Sequence, residues 1–271
     1  MLTGTRYGGA VAATVELRDG RRLAYRQWGP LDGFPVLGFG GTPHSGLEGL
    51  GPEAAEASAV RLVIADRPGY GDSDFKPDRT LLDWPRDVGE LADALGIDRF
   101  AVFGMSGGGP HAAACAYALR DRVSALGLVS SPGPVWDRPE LRFSLPLHRQ
   151  PLVEVAARDS AVAAQALVDD CRRQLAEAEP WSDENGARPS AEGYARDLFI
   201  LFVSPWGFAP EEIGVPTLIW HGDRDPAVPF AVGEFFHRAI SGSSLRVLPR
   251  EGHLVMGAHA REILDALRAL A

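Results

Sequence analysis

Cysteine is nearly absent: Cys115 and Cys171 are the only two in 271 residues, and neither lies in a Cys-x-x-Cys or metal-ligand spacing. Nothing here indicates a disulfide-stapled scaffold or a thiolate metal centre, and a reducing compartment fits. Positive charge is also in deficit. Lys and Arg number 27 against 36 Asp and Glu, a formal net charge of −9, with no basic run to grip a phosphate backbone, so no nucleic-acid partner is expected. No apolar run is long enough to cross a bilayer, and residues 1–13 lack the apolar centre of a secretory leader. No membrane partner is expected, and the expected location is cytoplasmic. The seven histidines form no i, i+4 pair or Cys/His cluster, which leaves no metal site in prospect. Repeats and low-complexity segments are missing as well.

What remains is a chain with 45% hydrophobic residues, enough to bury one large core. Its centre is the stretch 101–111. The apolar run Ala101-Val102-Phe103 enters Gly104-Met105-Ser106-Gly107-Gly108 and continues into the alanine-rich Ala112–Ala116. That succession reads as strand, sharp turn, helix. A serine at the tip of such a turn needs small neighbours, which Gly104 and Gly108 supply. The helix starting near Gly107 adds backbone N–H groups and the positive end of its dipole, which suits a developing oxyanion.

Around this centre the chain alternates. Residues 14–18 and 22–28 form a hairpin across Asp19-Gly20. Strands are expected at 35–39, 60–65, 123–129, 216–220 and 244–248, and helices at 53–58, 81–95, 235–240 and from about 260. Between 134 and 213 the strands stop, and helical stretches at 152–158, 161–179 and 191–202 take over. The fold class expected is therefore α/β: a mostly parallel sheet with antiparallel N-terminal strands and helices on both faces. Its core comprises residues 1–133 and 214–271, and residues 134–213 form a helical cap insertion.

Serine is a poor nucleophile at neutral pH and needs a base to take its proton and a carboxylate to orient that base. Ser106, Asp225 and His253 each follow an expected strand. In a parallel sheet all three fall at the carboxyl edge, where ligands bind.

The elbow, together with Asp66-Arg67-Pro68-Gly69-Tyr70-Gly71-Asp72-Ser73, His221-Gly222-Asp223-Arg224-Asp225 with Val228-Pro229, and Glu251-Gly252-His253, resembles the α/β-hydrolase superfamily, in its serine-nucleophile carboxylesterase and haloperoxidase-like branch. The resemblance covers residues from about 14 to 271. It implies Ser106 as nucleophile, His253 as base and Asp225 as acid, with Asp223 bonding locally in the same loop. It further implies an oxyanion hole of the Gly107 N–H and an N–H from the loop after the strand at 35–39. Where relatives usually carry His-Gly, this chain has Gly40-Gly41-Thr42, so the donor expected is Thr42 N–H, with Gly41 next.

Substrate contacts are expected from Met105, His44 and Trp206. His111 and His221 are expected to bond locally, His259 competes weakly with His253, and Asp66, Arg67 and Asp72 are expected to stiffen their loop. A serine in place of an aspartate nucleophile argues against dehalogenase or epoxide hydrolase chemistry. The expected function is cofactor-independent hydrolysis of a carboxylic ester of a small or medium apolar substrate through an acyl-enzyme. Alternatives are C–C bond, lactone, amide or thioester hydrolysis, perhydrolysis, or capture of a small ligand with little turnover. The partner expected is thus a small-molecule substrate, and the oligomeric state stays open.

Overall fold

The computed structural model describes residues 5–7, 10–43, 50, 52–145, 150–177 and 188–270. Short strands carry the apolar runs: β1 (Thr5–Tyr7), β2 (Ala10–Glu16), β3 (Arg22–Trp28), β4 (Phe34–Phe39), β5 (Val60–Ala65), β6 (Phe100–Met105), β7 (Val123–Val129), β8 (Thr217–Gly222) and β9 (Ser244–Leu248). The helices are α1 (Pro52–Ala57), α2 (Trp84–Ala94), α3 (Gly108–Ala118), α4 (Gln150–Arg158), α5 (Ser160–Glu177), α6 (Ala191–Phe202), α7 (Ala231–Ala239) and α8 (Met256–Ala269).

Among the described residues the strands form one nine-stranded sheet in the order β1-β2-β3-β5-β4-β6-β7-β8-β9. The first three strands and the β3–β5 pairing are antiparallel, and β5, β4, β6, β7, β8 and β9 run parallel. β6 lies near the middle with every residue buried, as a strand covered on both faces requires. Its side chains alternate between two clusters. Phe100 and Val102 face a core shared with α2, α3 and α7, and Ala101, Phe103 and Met105 face a smaller one shared with α1 and α8.

The expected mostly parallel sheet is present, with three local corrections. The first hairpin strand begins at Ala10, and Thr5–Tyr7 adds an outer strand with Arg6 opposite Val11. The helix expected from 81 opens as a 3-10 turn over Leu81–Asp83 before α2 begins at Trp84. The last helix starts at Met256, directly after the His253 loop. Between β7 and β8 the described residues contain only helical elements. Among the described residues no helix is long and apolar enough to cross a membrane.

Candidate active site

At the carboxyl end of β6 the backbone turns at Ser106, which adopts φ +49°. Its N–H donates to Val129 O at 2.8 Å and its carbonyl accepts from Gly109 N at 2.9 Å. The turn is thus held from both sides in a conformation that costs an L-residue energy. The flanking glycines are needed because strand and helix nearly touch. A methyl group at Gly104 would lie 2.1 Å from Gly108 O, and one at Gly108 would lie 2.0 Å from Phe39 O.

The loops after β8 and β9 bring the other two groups to this point. His253 Nε2 lies 2.9 Å from Ser106 Oγ, and His253 Nδ1 lies 2.8 Å from Asp225 Oδ2. With Nδ1–H given to the carboxylate, Nε2 is left to accept the serine proton. Asp225 Oδ1 accepts the N–H groups of Ala227 and Val228, each at 2.8 Å. Burial raises the Asp225 carboxyl, but the His253 bond and these N–H groups outweigh it and hold the group below the usual carboxylate range. Asp225 is buried while Ser106 and His253 stay part-exposed, so solvent reaches the serine end of the series and not its carboxylate end.

The two carboxylates of the 223–225 loop separate cleanly. Asp223 Oδ1 accepts Arg250 N at 2.6 Å, which ties the two loops together, and Asp225 alone reaches His253. His221 is buried and gives Nε2–H to Val228 O at 2.8 Å, a local bond as expected. His259 bridges Glu251 and Glu262 at 2.8 and 3.0 Å and has no bond to Ser106.

The residues expected to hold an oxyanion also meet. A methyl at Gly107 would lie 2.3 Å from Thr42 Oγ1, and one at Gly41 would lie 3.3 Å from Ser106 Cβ. Among the described residues no acceptor takes the N–H of Gly41, Thr42 or Gly107. The loop carrying Gly41 and Thr42 is gripped by Arg67, whose Nη1 donates to Gly40 O at 2.6 Å and whose Nη2 donates to Gly41 O at 2.9 Å. Arg67 is expected to stiffen its own loop; its guanidinium holds the neighbouring loop of Gly40 and Gly41.

Arg67 in turn pairs with Asp197 of α6, Nε to Oδ2 at 2.7 Å, with both side chains fully buried. Asp197 also receives Tyr70 Oη at 2.6 Å and a bond from Arg79 Nη2. Burial pushes the Asp197 carboxyl up, but Arg67 and then Arg79 reverse this and hold it well below the usual range. Burial likewise opposes the Arg67 charge, and Asp197 more than compensates.

Asp197 escaped the sequence reading. Its signal was present: in α6 the positions 194, 197, 198 and 201 form one i, i+3, i+4, i+7 stripe, and a lone carboxylate sits among Tyr194, Leu198 and Leu201.

Of the expected substrate contacts, the structure buries Trp206 and Met105. Trp206 is buried, stacks on Phe236 at 6.5 Å between ring centroids and donates its indole N–H to Leu201 O at 3.1 Å. It fills core and does not line an open cleft. Met105 is buried in the cluster beneath α8, because the strand alternation that exposes Ser106 turns its neighbour inward. His44 lies outside the described residues. Among the described residues no group of three or more His, Cys, Asp or Glu side chains is placed to hold a metal ion.

Comparisons with known proteins point the same way. Residues 36–145 match the family described as alpha/beta hydrolase fold. A non-heme chloroperoxidase of Streptomyces lividans is 28% identical over 242 residues, 80% of this chain and 84% of that protein. A 3-oxoadipate enol-lactonase of Acinetobacter baylyi is 26% identical over 247 residues, 85% of this chain and 86% of that one. The solved structure of a thermophilic esterase from Thermogutta terrifontis superposes with a TM-score of 0.65 at 25% identity, covering 96% of this chain and 97% of the other.

Proposed function

The chain belongs to the α/β-hydrolase superfamily, in its esterase and haloperoxidase-like branch, and from that premise we propose that it is a serine hydrolase of carboxylic esters. The observation that carries this reading is the unbroken series Ser106 Oγ, His253 Nε2, His253 Nδ1, Asp225 Oδ2, with contacts of 2.9 and 2.8 Å behind a serine held at positive φ.

The reaction follows from those groups. Ser106 Oγ attacks the ester carbonyl carbon while His253 Nε2 takes the hydroxyl proton, and the carbonyl π electrons move to oxygen. Asp225 holds the imidazole tautomer and stabilises the imidazolium. The N–H of Gly107, with that of Thr42 or Gly41, faces the tetrahedral oxyanion. Collapse breaks the C–O bond to the alcohol, which leaves with the proton from His253. Water then attacks the acyl-enzyme, His253 takes its proton, and a second collapse frees the acid and restores Ser106.

In this reading the helices of residues 134–213 cap the site, since α6 sets Leu201 against Gly107: a methyl added there would lie 3.3 Å from Leu201 Cδ1. The substrate is a small molecule with an apolar acyl or alcohol part, met in the cytoplasm. A lactone is an intramolecular ester, and the similarity to an enol-lactonase favours including lactones in the substrate class.

The test is an intact-mass spectrum after treatment with a fluorophosphonate, beside turnover of p-nitrophenyl esters and simple lactones, on wild type and Ser106→Ala. We expect one adduct on wild type, none on the variant, and turnover lower in the variant by about 10³-fold or more. A wild type with no adduct and no turnover overturns the reading.

A further inference from the structure

Two backbone segments face the oxygen that would carry negative charge, and one of them is held by a group bonded to a carboxylate of the helical excursion. On one side, Arg67 binds Gly40 O and Gly41 O at 2.6 and 2.9 Å. Each carbonyl shares a planar peptide with the next N–H, and the two point in opposite directions. Fixing the carbonyls of Gly40 and Gly41 toward Arg67 therefore aims the N–H groups of Gly41 and Thr42 away from it. Thr42 Oγ1 is also within reach of Arg67 Nη2 at 3.1 Å and of Asp197 Oδ2 at 3.4 Å. On the other side, buried His111 gives Nδ1–H to Gly107 O at 2.9 Å, which leaves Nε2 a bare lone pair with no hydrogen bond to Asp197, whose Oδ1 lies 3.8 Å away.

Asp197 thus stands behind the wall of Gly41 and Thr42. Its carboxylate is fully buried and saturated: Arg67 and Tyr70 occupy Oδ2, and Arg79 occupies Oδ1. An arginine without this partner would be a buried cation free to swing toward any acceptor. With it, the guanidinium plane is fixed, and so are the two carbonyls it binds.

We infer that Asp197 is a positioning residue that sets the geometry of the oxyanion hole through Arg67, and so couples helix α6 to the acyl-transfer step. This rests on the serine-hydrolase reading. The effect is confined to the state in which negative charge sits on the carbonyl oxygen. Among the described residues, Ser106, His253 and Asp225 share no bond with Asp197.

The test compares wild type with Asp197→Glu and with the double variant Asp197→Asn/Arg79→Gln. The first keeps the charge and moves the carboxylate by one methylene. The second removes one charge of each sign, so the buried cluster keeps the net charge of wild type. Sites are counted by fluorophosphonate adduct mass, and kcat and KM on a p-nitrophenyl ester are expressed per labelled site. Affinity is measured for a trifluoromethyl ketone, which adds to Ser106 and leaves an oxyanion in the hole. A misplacement of about 1 Å costs on the order of 10²-fold in rate. We expect a loss of that order in kcat, a parallel loss in ketone affinity, an unchanged KM, and a pH profile of kcat/KM that does not move. Wild-type kcat and ketone affinity per labelled site in both variants overturn the inference, even where fewer sites are folded, and leave the serine hydrolase standing. A wild type that takes no label overturns the serine reading, and this inference with it.

Discussion

The guanidinium of Arg67 and the carboxylate of Asp197, 130 positions apart in the chain, meet at 2.7 Å with neither side chain exposed to solvent. One follows β5 in the sheet and the other belongs to α6, so the pair pins the helical excursion to the loop that faces Ser106. Taking both charges out of water is costly, and the attraction between them offsets this only because the remaining donors and acceptors are also satisfied. Tyr70, Arg79, Gly40 and Gly41 satisfy them. The loop of Gly40 and Gly41 is thereby held by a buried ion pair.

Removing one member should therefore be expensive. Asp197→Ala leaves Arg67 and Arg79 as buried cations without a counter-charge, and we expect a loss of about 3–5 kcal/mol in unfolding free energy. Urea titration followed by circular dichroism measures it. A loss below about 1 kcal/mol, within the range of ordinary surface pairs, would show that the cluster relaxes or hydrates.

The two carboxylates of the β8 loop give a sharper contrast. Asp225→Asn puts an amide opposite His253 Nδ1, and the amide N–H can pair only with an unprotonated Nδ1. The imidazole proton then sits on Nε2, where it blocks acceptance from Ser106. We expect kcat to fall about 10⁴-fold with little change in KM. Asp223→Asn keeps an oxygen for Arg250 N and should alter kcat less than about threefold, within the small effects typical of substitutions that keep their bond. Steady-state kinetics on one ester decides both, and equal losses would mean that the loop, not the carboxylate, is being measured.

Much of this was legible in the sequence, for local reasons. The elbow announces itself because strand, glycine, serine and helix are contiguous, and close contact forces the glycines at 104 and 108. Asp225 and His253 are legible because each ends a short apolar strand, and parallel strands share one edge. Asp197 is different. Its partners Arg67 and Arg79 are more than 115 positions away, and helix periodicity places a residue on a face without saying what that face meets. Trp206 misled for a related reason: an aromatic in a helical insertion fits a pocket wall or a core equally well, and only packing against Phe208 and Phe236 separates them. The strand Thr5–Tyr7 is too short for alternation to register, and its pairing with β2 supplies what its own pattern lacks.

Buried His111 makes stability depend on acid. Burial, and then the nearby Arg67 charge, push its imidazolium down to about 3, against an unfolded value near 6.5. The folded state therefore binds fewer protons than the unfolded one between those two pH values, and stability falls as pH falls through that window. Above about pH 6.5 nothing is lost. The slope reaches at most about 1.4 kcal/mol per pH unit from this one group. His111→Gln cannot take up a proton in either state, so the gap in unfolding free energy between wild type and variant should narrow steadily from pH 7 to pH 4. Urea titrations at three pH values across the window measure the gap, and parallel curves would assign acid sensitivity to other groups.

The positive φ of Ser106 carries a cost, which the proposed nucleophile role accounts for. At φ +49° the Cβ of any L-residue crowds the backbone, by about 1–2 kcal/mol. The bonds from Ser106 N to Val129 O and from Gly109 N to Ser106 O leave the backbone no easier conformation. Alanine at 106 keeps the Cβ and the strain, whereas glycine removes both. Glycine also gains freedom in the unfolded chain, which takes back about 0.5–1 kcal/mol. On balance Ser106→Gly should be more stable than Ser106→Ala by up to about 1 kcal/mol, a rise of roughly 2 °C in Tm for a chain of this size. Neither variant should take a fluorophosphonate label. Calorimetry on the two variants side by side makes the comparison free of any lost Ser106–His253 bond, since both lack the hydroxyl. An alanine variant that melts at or above the glycine variant would show that the turn is unstrained, and that Ser106 owes its reactivity to His253 alone.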